Sequence, residues 1–143
     1  MDAGFAAMLK GSLWAWPALE FVHLVGIALL FGSLVLFELR VLGLGATLPA
    51  AAFARLVLPV TLAGFACAAA SGLAMFADDA ASLLAHPAFR VKMALLALAG
   101  LNAALFHARG GVGRLDAAAR LQVAVSLGLW LGVIASGRAI AYI

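Results

Sequence analysis

Four stretches of this chain contain no charged side chain. Residues 21–37 lie between Glu20 and Glu38, 56–77 between Arg55 and Asp78, 93–108 between Lys92 and Arg109, and 121–137 between Arg120 and Arg138. A charged side chain at the centre of a bilayer costs roughly 2.5 to 3.5 kcal/mol on insertion scales, so uninterrupted runs of this kind predict membrane-spanning helices. The shorter runs fall below the roughly 20 residues that a span needs. The helices are therefore expected to extend past Glu20, Arg90 and Lys92, whose long stems let the charged heads reach the interface. This places the spans at about 18–42, 56–77, 88–108 and 118–138 of a single domain covering 1–143.

Between the spans, Gly43, Gly45 and Pro49, then Asp78, Asp79 and Pro87, then Gly110, Gly111 and Gly113 supply turn chemistry. Ahead of the first span, Phe5, Met8 and Leu9 alternate with Asp2 and Lys10 and are followed by Trp14, Trp16 and Pro17. This pattern predicts a short interfacial helix ending in an aromatic anchor. The first apolar run begins near Pro17 without the compact basic start of a secretory signal, so no cleavage is expected. The expected fold is all-α: an integral membrane four-helix bundle with a short N-terminal interfacial helix.

Composition agrees. Of 143 residues, 67% are hydrophobic and 10% charged, and the mean hydropathy is +1.18. A soluble domain of this size has too little interior to hide that much apolar surface, so membrane lipid is the expected surrounding. The net charge of +3 comes from nine basic residues scattered at segment ends. They form membrane-edge anchors and no nucleic-acid-binding stripe. Cys67 is alone, which excludes an intrachain disulfide and a cysteine-based zinc site.

Four crossings put the N-terminus, the second loop and the C-terminus on one face, side A, and the other two loops on side B. Side B holds Arg40, Arg55, Arg109, Arg114 and Arg120, against Lys10, Arg90, Lys92 and Arg138 on side A. The excess of basic residues on side B favours a cytoplasmic side B and periplasmic termini in a bacterial inner membrane.

Helix association in lipid rests on close backbone approach and on polar contacts. Gly64, Ala68 and Gly72 line one face of the second span, and Gly128, Gly132 and Ser136 one face of the fourth. Both stripes are expected to pack helices, within the bundle or between copies in a homo-oligomer. The intramembrane polar residues are the candidates for chemistry. Asn102 suits a bridge between neighbouring helices. His23 shares a helix face with Glu20 and Gly26, so a carboxylate is placed to orient the imidazole and a glycine to leave room beside it. His107 closes the third span, behind a trough of small residues at Ala104, Ala103 and Gly100 that would admit a flat macrocycle.

Neutral imidazoles in this setting suit axial ligation of haem b. The plain alternative is a pair of histidines that only hydrogen-bond. At 1.5 Å per residue the two histidines differ in depth by roughly 18 Å, so they do not share one iron within a chain. Lys92 and Arg138 are placed to neutralise haem propionates near side A. His23, His86, Met75 and Met93 form a rival set of soft donors suited to copper in its reduced state.

The stretches "SLWAWPALEFVHLVGIALLFGSLVLFELRVLGLG", "HPAFRVKMALLALAGLNAALFH" and "GLWLGVIASGRAIAYI" resemble a family of small bacterial four-helix membrane proteins of unknown function. The features that carry the resemblance are Trp14, Pro17, Glu20 with His23, Arg40, Pro59, Phe89, Arg90, Lys92, Asn102, His107, Gly137, Arg138 and Tyr142. A looser similarity links the chain to copper-resistance D-type proteins and b-type membrane cytochromes. That similarity implies a haem b-binding, redox-active protein in transmembrane electron transfer, with a redox partner and with His23 and His107 as metal ligands. A copper-handling membrane protein and a structural subunit are the alternatives. Four-helix cytochromes usually set two histidines at one depth, and this chain departs from that pattern.

Overall fold

The computed structural model describes residues 11–143 together with Gly4 and Ala7. The interfacial helix expected over Phe5, Met8 and Leu9 lies outside the described residues. From Ala15 onward the chain forms five helices and one short 3-10 turn: α1 (Ala15–Leu42), α2 (Ala50–Asp78), α3 (Ala80–Ala85), α4 (Pro87–Ala108), the turn Gly111–Gly113, and α5 (Ala117–Ala139). There is no strand among the described residues. Helices α1, α2, α4 and α5 are long and apolar enough to cross a membrane. The protein is an all-α, multi-pass membrane four-helix bundle.

Local chemistry sets the ends of these helices. Pro17 sits in the first turn of α1, where backbone N–H groups have no intrahelical acceptor, so its missing donor costs nothing there. Gly43 ends α1 in the left-handed region (φ 111°), turning the chain back so that its N–H reaches the Arg40 carbonyl. The Arg40 guanidinium then holds the loop, donating from Nε to Leu48 O (2.8 Å) and from Nη2 to Ala46 O (3.3 Å). Helix α2 begins at Ala50, earlier than the start near Leu56 expected from charge. Three alanines follow Pro49, alanine is the strongest helix former, and the exposed Arg55 reaches outward from within the helix. The loop expected between Asp78 and Pro87 contains α3. Asp79 caps it by accepting from Ser82 N (3.3 Å), and His86 ends it and caps α4.

The helices pack as two hairpins, α1 with α2 and α4 with α5, joined mainly where α5 meets α1. At the α1–α2 crossing the backbones touch. A Cβ added at Gly26 would stand 2.6 Å from Ala68 N and 2.9 Å from Gly64 O, and one added at Gly64 would overlap the Leu30 amide and stand 2.7 Å from Gly26 O. Ser33 and Thr61 bridge the same pair through their hydroxyls at 2.7 Å. The expected small-residue stripe on α2 is thus its α1-packing face. The stripe on α5 divides: a Cβ at Gly132 would meet Leu95 of α4 at 3.0 Å, whereas Gly128 faces open space.

The apolar core lies toward side B, built from Phe37 and Val41 of α1, Ala54 and Val57 of α2, Phe106 of α4 and Ala119 and Val123 of α5. The Phe37 and Phe106 rings meet edge to face with centroids 5.9 Å apart. Phe21, Leu24, Leu62, Leu73, Leu98, Leu101 and Leu121 point outward. That surface is suited to hydrocarbon and not to water.

The glycines make opposite predictions. Gly64→Ala should destabilise the detergent-solubilised protein by about 1–3 kcal/mol, because a core already in backbone contact must open to admit the methyl group. Gly128→Ala should be neutral or stabilising by up to about 1 kcal/mol, the helix-propensity gain over glycine. Thermal unfolding monitored by circular dichroism measures both, and equal effects at the two sites would contradict the packing described.

Candidate functional site

Two polar centres stand at opposite ends of the bundle. The first is His23 on α1, near side A and half-buried. Its Nδ1 lies 2.9 Å from the Ala68 carbonyl oxygen and 3.0 Å from Ser71 Oγ on α2. The Ser71 hydroxyl donates its own proton to the Cys67 carbonyl at 2.7 Å, leaving its oxygen to accept. Both neighbours of Nδ1 are therefore acceptors, which assigns the ring proton to Nδ1 and leaves a lone pair on Nε2. Nε2 has no hydrogen-bond partner among the described residues. Gly72 lies against the ring, where an added Cβ would come within 3.2 Å of Cε1. The Lys92 ammonium, half-buried on α4, is close enough for its charge to act on the imidazole.

Other residues expected around His23 are placed differently. Glu20 does not orient it: the Glu20 carboxylate is exposed and accepts from Trp16 Nε1 at 3.0 Å. Gly26 leaves no room beside the ring, since α2 fills that space with the backbone of Gly64 and Ala68. His86 uses both ring nitrogens. Its Nδ1 accepts from Ala88 N (3.2 Å), so Nε2 bears the proton, which it donates to Ile143 O (2.9 Å). Arg138 stacks over the Tyr142 ring at 4.7 Å from its centroid and donates to the Tyr142 hydroxyl. Met75 is half-buried and Met93 exposed. Among the described residues, no group of three or more His, Cys, Asp or Glu side chains stands together as a metal cage.

The second centre lies toward side B. Its principal member is Glu38, which is 1% exposed. Ser126 of α5 lines the same cavity as Glu38, while Oε2 has no partner among the described residues. The carboxyl lines a cavity of about 60 Å³ shared with Asn102, His107, Gln122 and Ser126. From there a chain of contacts leads outward. Asn102 Nδ2 donates to the Gln122 carbonyl (2.9 Å), bridging α4 and α5 as expected, and Arg109 Nη1 donates to Gln122 Oε1 (3.0 Å). Arg109 Nη2 also contacts Asp116 Oδ2 (3.2 Å), which Arg114 Nε meets at 2.8 Å. His107 is exposed at the edge of this region, and its ring meets Phe106 edge to face at 5.3 Å. Gly100, Ala103 and Ala104 are exposed too, and Gly100 has open space beside it.

No family model, curated protein or solved structure matches the chain. The argument for function therefore rests on these two centres.

In the sequence Glu38 stands only as the charged boundary of a span. Helical register contained the missing signal: Gly26, Leu30, Leu34 and Glu38 recur every four residues, so Glu38 continues the face that α1 packs inward.

The side B network has a defined acid response. Asp116, the N-cap of α5, accepts from Ala119 N at 2.9 Å. That backbone bond holds its carboxyl below the usual carboxylate range, with Arg109 and Arg114 adding to the effect and partial desolvation opposing it. A depressed folded-state value means that Asp116 stabilises the fold above its unfolded value of about 3.9. This contribution is lost as pH falls through the lower folded value. The wild-type melting temperature should accordingly drop as the pH is lowered below about 4, and Asp116→Asn should show a shallower drop. Parallel acid-limb profiles for the two proteins would remove this role.

Proposed function

We propose that this chain is a haem b-binding, redox-active protein of the bacterial inner membrane, with His23 as an axial ligand. The observation that carries the reading is the state of the imidazole. Ala68 and Ser71 fix its orientation and tautomer through Nδ1, and Nε2 keeps its lone pair at the depth of a membrane span. Haem-ligating histidines need this division of labour, in which one ring nitrogen is anchored and the other is free.

The residues present fit such a group on one condition. The space beside Gly26 is closed and the cavity near Glu38 measures only about 60 Å³, far too little for a macrocycle. A haem at His23 would need space outside these two places, with a second copy of the chain or lipid completing its enclosure. When bound, haem supplies a one-electron carrier inside the hydrocarbon. The chain's own residues would do the rest: α2 holds the imidazole, and Lys92 would offset the negative charge of propionates. His107, exposed at the side B edge and lining the small cavity beside Glu38, is not assigned to this haem.

The resemblance to small bacterial four-helix proteins and, more loosely, to b-type membrane cytochromes is in line with this reading. The copper alternative is weakened because His86 has both nitrogens engaged, leaving His23 with Met75 and Met93 as donors. The excess of basic residues on side B supports an orientation with both termini in the periplasm.

Protein purified after haem-replete expression should show a Soret band, and His23→Ala should abolish the share of it due to the side A site. Ser71→Ala should weaken haem retention by about tenfold, the lower end of the effect of removing a partner of a ligating histidine, since Ala68 O still holds Nδ1. A preparation without a Soret band, or one that holds copper in its place by metal analysis, overturns the proposal.

A further inference from the structure

We infer that Glu38 is a proton-binding site inside the bundle, exchanging its proton with side B through the adjoining cavity and His107. This inference is independent of haem and rests on different atoms.

A carboxylate fully removed from water needs a cation, several hydrogen bonds or a proton. Neighbouring elements supply no cation. Helix α2 presents Leu58, α5 presents Gln122, Val123 and Ser126, and α4 presents Asn102, Phe106 and His107. His107 is the one titratable side chain among them. Arg109 is the nearest cation along α4, and its guanidinium is committed to Gln122 and Asp116. Arg40, two residues further along α1, is committed to the carbonyls of Ala46 and Leu48. Hydrogen bonds are also short in number, because Oε2 is buried without a partner among the described residues and Glu38 lines the cavity. A proton on Oε2 removes the charge at no cost in space.

The cavity supplies the means of exchange. At about 60 Å³ it has room for a few waters, and its polar members give them hydrogen-bond partners. His107 lines the cavity and is also exposed at the side B edge of α4, so its two ring nitrogens can take a proton on one side and release one on the other. The step balances simply: a hydronium at side B gives up one proton, its O–H bond breaking as the carboxyl O–H forms and leaving water, and no electron moves. A metal cation fits poorly. Hard cations such as Ca²⁺ take about 6–8 oxygens, whereas Leu34, Phe37, Leu58 and Phe106 make much of this wall apolar.

Infrared difference spectroscopy of haem-free protein in lipid vesicles, stepped in pH, tests the inference. The expected result is a carbonyl stretch of a protonated carboxylic acid that titrates, is lost in Glu38→Gln, and changes position in Glu38→Asp. After a pH jump, His107→Asn should slow the response of this band by about a hundredfold, the low end of what a positioned proton-transfer group contributes. Should Glu38→Gln fail to fold, the Glu38→Asp shift alone decides the assignment. A band unmoved in Glu38→Asp, a carboxylate that stays ionised throughout, or a titration displaced by sodium would overturn the site. An unchanged rate in His107→Asn would overturn the route.

Discussion

The rest of the structure depends on the contact of α1 and α2 at Gly26 and Gly64, where the two backbones meet with no side chain between them. Lipid tails compete with leucine for leucine, so burial of apolar surface does little to hold membrane helices together. What remains is close approach, which multiplies van der Waals contacts, and polar bonds that have no water to compete with them. Glycine at both sides of the crossing permits the first and brings the second within range. Ser33 reaches Thr61 toward side B, and His23 reaches Ala68 and Ser71 toward side A, all on the register that the glycine pair sets. The orientation of His23 is thus a consequence of helix packing and not of its neighbours on α1.

The second hairpin is held by a different balance. Asn102 ties α4 to α5 through the Gln122 carbonyl, Gly132 receives Leu95, and the link to α1 passes through the apolar cluster around Phe37 and Phe106. Glu38 follows Phe37 directly and is enclosed by the same joint. A buried carboxyl among these residues gains nothing for packing that a leucine would not give, so its presence argues for a role outside stability. The polar chain from Gln122 through Arg109 to Asp116 keeps the nearby charges satisfied by one another. They are consequently not available to neutralise Glu38.

The four spans were legible in the sequence because exclusion of charge from hydrocarbon acts on each residue separately. No knowledge of a partner helix is needed. The small-residue face of α2 and the bridging role of Asn102 were legible for the same kind of reason, each being a local pattern with one dominant physical use. Partnerships were harder to read. Glu20 stands three residues from His23, yet Trp16 stands four residues from Glu20 on the other side and takes its carboxylate. Gly26 leaves space beside α1 taken alone, and the α2 backbone at Gly64 and Ala68 fills it. His86 resembled a free donor because its capping of α4 depends on the turn geometry around Pro87, and its second bond reaches a residue remote in sequence. Glu38 was hidden by its place near a span end, where a charged residue ordinarily reaches outward, whereas its four-residue spacing from Leu34 turns it inward.

Both centres sit on α1, and their separation limits how they interact. Glu38 follows His23 by 15 residues, which at 1.5 Å per residue is about 22 Å along the helix. At an effective dielectric constant near 20, two unit charges at that distance interact by only about 0.8 kcal/mol. That is less than a tenfold change in any binding equilibrium, so a charge arriving at one centre scarcely shifts the protonation of the other through space. Stronger coupling requires movement of α1 as a body, and the glycine contact with α2 opposes it, since any sliding of α1 drives backbone into backbone. The fold therefore favours two polar centres that respond independently over one coupled pair.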